Sequence, residues 1–430
     1  MRYEIPYGNR RVSFEAPERS VIFEGEMSDI PPLEHFEKAL VASLESPLGT
    51  PPLKELARGK KNIVFLVEDS TRSTPLDIIM PVITGYLNEN GVPDGAMSFL
   101  TAPGTHRLMT EREILEKLGP EMVRRFKVVQ HDATAREDMV DIGTVMAGDY
   151  EIPAHVNRYA LASDLLVGIG NIVPHCDAGY AGGAKILQPG VCDFVTTSAT
   201  HAAAGFCPDI PLGVADGNPC REGIEEVARI AGLAFIVNIV KNYRDEIAGL
   251  FSGDFIKAHR EGIKLAEKSF RITVPEPADI VVVSSWPSDM DYWQATKGVS
   301  CAYFAVKKGG IIIFAAPCGE GLAHNHPLFR EWLSLSLDEA LRRLRATSPE
   351  DVEADTVSAV LAICNCRARD KARIFSVTEG LSKEDIAAMG YTPFPTVQEA
   401  LDKALELIPG ATIGIIPMGG ISLPVVGKSQ

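Results

Sequence analysis

No stretch of this 430-residue chain holds eighteen consecutive apolar residues, and Met1-Arg-Tyr-Glu-Ile-Pro6 lacks the apolar core of a leader peptide. Neither a membrane span nor export is therefore expected, and the expected location is the cytoplasm. Basic residues are outnumbered, 42 Lys and Arg against 57 Asp and Glu, for a formal charge of −15. They are also dispersed, which argues against a nucleic-acid surface. The eight cysteines form no two-residue-spaced pair, and the closest is Cys364-Asn-Cys366. That excludes a zinc knuckle or thioredoxin-like motif and leaves reduced, mostly buried thiols, with Cys176 beside His175 the one set apart by its neighbour. Gly-Xaa4-Gly-Lys-Ser/Thr is missing, the glycine spacing does not suit a dinucleotide fingerprint, and no His-Glu-Xaa-Xaa-His is present.

What is present is 46% apolar composition, ample for a core of two or three domains. After a hairpin-like stretch around Tyr7-Gly-Asn9, apolar runs at 62–67, 97–100, 127–130 and 165–168 alternate with helical patterns. Thr110 with Glu113 predicts a capping box opening a helix over 111–118. Beyond the Pro275-Glu-Pro277 joint the alternation restarts at 279–284 and 310–315, Thr396 and Glu399 cap a later helix, and 411–416 reads as a final strand. The expected fold is α/β: two doubly wound domains with mostly parallel sheets, residues 1–272 and 273–430, and an active site in the cleft between them.

Four loops carry residues with chemistry. Glu68-Asp-Ser-Thr-Arg72-Ser-Thr-Pro75, between a strand and a helix, suits an anion through helix amides and a guanidinium, and reads equally as an ordinary N-cap with a surface arginine. Gly104-Thr-His106-Arg107 follows another strand at the same sheet edge. The Gly-rich run from Asn171 through His175, Cys176, Gly182, Gly183 and Lys185, with His201 soon after, brings an amine and imidazoles to loops whose glycines let backbone amides approach a ligand. Gln294 and Lys297, three apart after Trp293, share one face of a helical turn.

Together, Asp-Xaa-Thr-Arg-Xaa-Xaa-Pro at 69–75, Gly-Thr-His-Arg at 104–107, Pro-His-Xaa3-Gly-Xaa2-Gly-Gly-Xaa-Lys at 174–185, Gln-Xaa-Xaa-Lys at 294–297 and Gly-Gly-Xaa-Xaa-Leu-Pro at 419–424 resemble the nickel-dependent lactate racemase family. The resemblance spans nearly the whole chain. It implies a nickel-pincer nucleotide, a pyridinium mononucleotide whose carbon and two sulfurs grip the metal, held in an interdomain cleft. Lys185 matches its covalent anchor, His201 the imidazole that completes the nickel coordination, and His106 and His175 the acid/base pair. Arg72, Gln294 and Lys297 match the residues that hold the substrate carboxylate. Asp69 belongs with the first of these loops, Gly182 and Gly183 with the anchoring loop. Trp293 stands where the family often has tyrosine, and no tryptophan near Cys364 matches the family's tryptophan contact.

The implied activity is racemisation or epimerisation of a 2-hydroxy acid, with cofactor-biosynthesis proteins as partners. Removing the C2 proton would leave a carbanion beside a carboxylate with no electron sink, whereas removing hydride leaves a neutral ketone. Such an enzyme needs a hydride acceptor and a base for the hydroxyl proton, and imidazole, with an ordinary pKa of about 6.5, serves in both directions. Soft sulfur and carbon with an imidazole suit nickel. Two rival readings remain at this stage: a non-catalytic carrier of the same nucleotide, and a Lys185 Schiff-base or metal-dependent enzyme.

Overall fold

The computed structural model describes residues 1–324 and 326–427. Two six-stranded sheets organise it. In the first, the spatial order is Ile247–Gly253, Leu233–Lys241, Leu165–Asn171, Ile63–Val67, Met97–Thr101, Lys127–Gln130, and only the Ile247–Gly253 edge runs antiparallel to its neighbour. Ile63–Val67 is buried along its whole length because helices cover both faces. Ile63, Phe65 and Val67 pack into one helical layer with Leu76, Ile79 and Ile83, and Val64 and Leu66 into the other with Ala203, Ile224 and Val227. Each such aliphatic side chain contributes about 1.5–3 kcal/mol by leaving water. This explains why the central strands are continuous apolar runs with no polar alternation.

In the second sheet all six strands are parallel, ordered Thr392–Pro393, Arg373–Val377, Val306–Ala315, Ala278–Ser284, Ile413–Ile416, Val21–Glu24. The last of these corrects the expected division at 272/273. Val21–Glu24 pairs with Ile413–Ile416, and the hairpin of Arg2–Tyr7 and Arg10–Glu15 buries Ile5, Tyr7 and Phe14 against Ile280, Val282 and Ile311. The chain's first two dozen residues thus belong physically to the second sheet. Their pairing is separated from its partner by nearly the whole sequence, so no local pattern announces it.

The expected caps form: Thr110 accepts from the Glu113 amide and Glu113 reaches back, and Thr396 accepts from the Glu399 amide. All eight cysteines are free and buried. No helix among the described residues is long and apolar enough to cross a membrane.

Candidate active site

In both sheets the winding direction reverses at one point, and loops leaving the carboxyl ends of the strands on either side of such a point diverge to leave a crevice. In the first sheet those strands are Ile63–Val67 and Leu165–Asn171. Glu68, Asp69 and Arg72 follow the one, and His175 and Lys185 follow the other. The next strand outward, Met97–Thr101, delivers His106. In the second sheet Ala278–Ser284 flanks the reversal and is followed by the Tyr292–Ala305 helix bearing Trp293, Gln294 and Lys297. All of these side chains, together with His201, line one cavity between the sheets.

The Gly-rich segment is held from beneath by residues far away in sequence. Buried Arg221 donates to the carbonyls of Ala178 (3.1 Å), Gly182 (3.2 Å) and Tyr180. His259 Nε2 lies 2.9 Å from the Ala181 carbonyl, and Asn238 Oδ1 accepts from the Gly183 amide at 2.7 Å. Gly182 and Gly183 have φ of +77° and +61°, where a Cβ would strike the Asn171 carbonyl and the His259 ring. The expectation that both glycines open their amides to a ligand is corrected for Gly183: its amide is committed to Asn238 and its missing side chain makes room for protein. Gly182 does line the cavity.

His201 lies on the Phe194–Gly205 helix, which Asp193 caps, and not on the loop itself. Its Nδ1 is 2.8 Å from the Thr197 carbonyl one turn back, an acceptor only, so Nδ1 carries the hydrogen and Nε2 keeps its lone pair. Orienting an imidazole through a backbone carbonyl in this way is how metal-binding histidines are fixed. His106 Nδ1 donates to Asp69 Oδ2 at 2.9 Å and likewise keeps the Nε2 lone pair. At His175 the arrangement reverses, because Nδ1 accepts from the Asp177 amide at 3.2 Å and the Ala178 amide at 3.5 Å, which places the hydrogen of the neutral ring on Nε2.

The electrostatics follow from crowding several cations into a partly dry space. Burial, then Arg72, lowers Lys185 to about 8; burial, Arg72 and Lys185 bring Lys297 to about 7. Burial, reinforced by Lys185, Lys297, Arg72 and His201, holds His175 well below the ordinary imidazole range. Burial pushes Asp69 up, but His106, Arg72 and Thr71 together outweigh it and bring the carboxyl to about 2. Glu68 is raised, because burial outweighs Lys117, Thr74 and Arg72. Lys297 Nζ donates to Gln294 Oε1 at 2.8 Å, so the two do share a face and a site. The cavity is built for an anion.

The donor set fits the nickel-pincer nucleotide. Among the described residues Lys185 Nζ has no hydrogen-bond or ion-pair partner, and a lowered pKa gives it the free amine that acyl chemistry needs. His201 Nε2 keeps an uncommitted lone pair, and Thr197 Oγ1, on the cavity wall, is buried without a partner. One cluster among the described residues has competing metal-binding dimensions: His175, Cys176 and Asp177, with ligand atoms within 4.8 Å of one another. There, however, amide hydrogens already point at His175 Nδ1, and burial, with Asp177 beside it, keeps the Cys176 thiol protonated.

Several residues of the site carry no role on sequence grounds. Glu68 reaches across the reversal to accept from the Asn171 amide at 3.2 Å, and Gly170 is bare because a Cβ would lie 2.9 Å from that carboxylate. Val357 and Leu361, from the Thr356–Lys371 helix, form an apolar wall beside Trp293. Behind it His326 stacks on Trp293, with ring centroids 3.7 Å apart and planes 8° from parallel, and His326 Nδ1 is 2.9 Å from Asp355 Oδ1. The His324-Asn-His326-Pro cluster in the sequence was the available signal.

Residues 7–210 match the lactate racemase N-terminal domain and residues 273–425 the lactate racemase C-terminal domain. The lactate racemase of Thermoanaerobacterium thermosaccharolyticum is 32% identical over 429 residues, 97% of each chain. That of Lactiplantibacillus plantarum is 32% identical over 334 residues, 75% of this chain and 77% of the other. The solved lactate racemase apoprotein from T. thermosaccharolyticum superposes with a TM-score of 0.88 at 30% identity, covering 99% of this chain and 100% of that one. A Thermotoga maritima protein, at 22% identity and a TM-score of 0.71 over 93% of this chain and 100% of its own, shares the fold. With both halves of the chain matched and a relative aligned almost end to end, the protein belongs to the lactate racemase family.

Proposed function

We propose that this protein racemises or epimerises a 2-hydroxy acid by reversible hydride transfer, with the nickel-pincer nucleotide held by Lys185 and His201. The observation that carries the reading is the convergence of His106, His175, Lys185, His201, Arg72 and Lys297 on one cavity. When bound, the nucleotide supplies a hydride acceptor that can return hydride to either face of the ketone. The protein's own groups do the rest. Arg72 and Lys297 hold the substrate carboxylate with charge-assisted hydrogen bonds, and Gln294 steadies Lys297. His106 and His175 arrive from strands on opposite sides of Ile63–Val67 and move the hydroxyl proton at their Nε2 atoms. Positioned imidazoles contribute roughly 10²–10⁴-fold to such steps. Trp293, Val357 and Leu361 face the substrate's side chain, which makes a 2-hydroxy acid with an apolar side chain the best-suited substrate.

The test is isotopic. Protein made in a host that synthesises the cofactor, given substrate deuterated at C2 in ordinary water, should yield product that retains the deuterium; extensive washout would show proton abstraction instead. A Schiff-base enzyme is the second reading, favoured by the Lys185 amine near pKa 8. Borohydride should trap a substrate adduct on Lys185 only if that reading is right.

A further inference from the structure

The two imidazoles proposed as acid and base are supported unequally. His106 has a permanent carboxylate partner, Asp69, 2.9 Å from Nδ1. His175 has none at that distance, and its Nδ1 receives backbone amides. With the hydrogen on Nε2, a neutral His175 cannot take a hydroxyl proton there. To serve as acid or base it must pass through the imidazolium, and the Nδ1–H of that form would face two amide hydrogens. A carboxylate oxygen, Asp177 Oδ2, lies 3.8 Å from Nδ1, about an ångström beyond hydrogen-bond length. The Asp177 side chain is buried, and its Oδ1 has no partner among the described residues. A buried carboxylate oxygen left unpartnered is destabilising, and that is understandable if the carboxylate is used when His175 is in its other protonation state.

We propose that Asp177 is the positioning residue for His175: its carboxylate turns to accept a hydrogen bond from Nδ1–H, so that Nε2 gives its proton to the substrate oxygen when the ring carries two and takes the hydroxyl proton when it does not. This rests on the racemase reading above. The proton balance closes within the site. The hydroxyl proton of one enantiomer passes to one histidine, and an equivalent proton returns to oxygen from the other, with Asp177 accepting a hydrogen bond and not a proton. Lys185, Lys297, Arg72 and His201 all oppose a charge on His175, and the carboxylate of bound substrate offsets them. Asp177 in turn influences His201, Lys185, Cys207, Cys220 and Cys364 through its charge, and the Cys176 thiol is a hydrogen-bond partner of the same carboxylate, while Oδ1 keeps no partner among the described residues.

The first measurement needs no variant. In protein labelled with ¹⁵N-histidine and loaded with cofactor, His175 should show the Nε2–H tautomer when free. On addition of 2-hydroxy-2-methylpropanoate, which has no C2 hydrogen to lose, it should become imidazolium. An unchanged His175 tautomer in the presence of that compound overturns the proposal. In cofactor-loaded Asp177→Asn, kcat should fall about 10- to 100-fold with KM changed less than about threefold. The limb on which activity falls as pH rises should move to lower pH, because loss of the negative charge makes the imidazolium harder to keep. A variant with the Lys185 adduct intact and a native kcat and pH profile overturns the proposal, as does one in which only KM changes. Failure of the underlying reading is distinguishable, since it appears as deuterium washout in the unmodified protein whatever Asp177 does.

Discussion

Asp69 Oδ2 and His106 Nδ1, 2.9 Å apart, form the one close imidazole–carboxylate pair among the residues on the cavity wall. The carboxyl, near pKa 2, stays ionised throughout the range in which imidazoles titrate, so it fixes the His106 tautomer without competing for the proton. Asp69→Asn should lower kcat by roughly 10²–10⁴-fold while the Lys185 adduct remains, since the amide can present either its oxygen or its NH2 to Nδ1. Kinetics on cofactor-loaded variant protein, with intact mass as the loading control, check this. The depressed pKa also bears on stability. A carboxyl lowered from 3.8 to about 2 stabilises the fold fully above pH 3.8 and loses that contribution as pH falls through 2. The stability gap between parent and Asp69→Asn should therefore narrow over that window in chemical denaturation.

Lys185 should be the sole covalent anchor. At pH 8 an amine of pKa about 8 is half neutral, against well under 1% for an ordinary lysine near 10.4. An amine-acylating reagent at limiting concentration should therefore label Lys185 of cofactor-free protein ahead of surface lysines, as read by tryptic mass spectrometry. Protein from a host that makes the cofactor should carry the adduct on the same peptide and resist labelling there, and Lys185→Ala should carry none. An adduct on another peptide would sink the assignment.

His201→Ala should weaken nickel retention first, whereas His106→Ala and His175→Ala should abolish interconversion with nickel still bound. The Thr197 carbonyl leaves His201 Nε2 free for a metal, whereas His106, with Nε2 equally free, has the carboxylate partner of a general base and His175 Nδ1 is occupied by an amide hydrogen. Elemental analysis alongside activity separates the cases. Equal metal loss in all three would mean that ligands and bases have been confused.

The arrangement of these histidines shows how far the sequence could be read. The strand-to-loop motifs were legible because a parallel strand's carboxyl end, its loop and the following helix are contiguous, so Asp69, Arg72, His106 and His175 lie within a few residues of a recognisable apolar run, and Lys185 follows on the same Gly-rich segment. Whatever depends on contacts between distant segments was not. Arg221 and Asn238 are ordinary helix and strand residues until the fold sets them beneath the Gly-rich loop. Val21–Glu24 looks like any short strand until Ile413–Ile416 lies beside it. Gly183 illustrates an ambiguity of type: a glycine admitting a ligand and one admitting a neighbouring ring look identical in sequence, and here His259 decides between them.

Arg72 and Lys297 come from different sheets, so a substrate carboxylate held by both would tie the two halves of the cleft together. Charge-assisted hydrogen bonds of about 1.5–3 kcal/mol predict losses of roughly 10- to 150-fold in kcat/KM for Arg72→Ala or Lys297→Ala. Lys297→Arg should rescue only in part, because the planar fork cannot reproduce a compact ammonium seated on Gln294 Oε1. Near-native kcat/KM in Lys297→Ala would place the carboxylate elsewhere.

The apolar wall should decide which 2-hydroxy acid is preferred. Trp293 is held flat by His326, and Asp355 fixes His326 in turn while also accepting from the Ser358 hydroxyl at 2.7 Å and the Leu328 amide at 3.3 Å. An aromatic ring locked in this way presents a defined surface, whereas Val357 and Leu361 present small aliphatic groups and leave room beside it. Loaded protein should therefore favour 2-hydroxy acids with branched or aromatic side chains over lactate, and should discriminate against a second carboxylate, which would be desolvated against this wall without a partner. Val357→Phe should fill the space and cost the larger substrates about 10- to 100-fold in kcat/KM while sparing lactate, since overpacking is felt only by the group that must share the volume. Trp293→Tyr, which loses part of the stacked surface, should reorder the ranking more than it slows the best substrate. His326→Ala should reproduce that reordering without itself lining the cavity, because it removes only the support behind the indole. If the three variants slow every substrate by the same factor, the side-chain pocket lies elsewhere and the wall serves only to close the cleft.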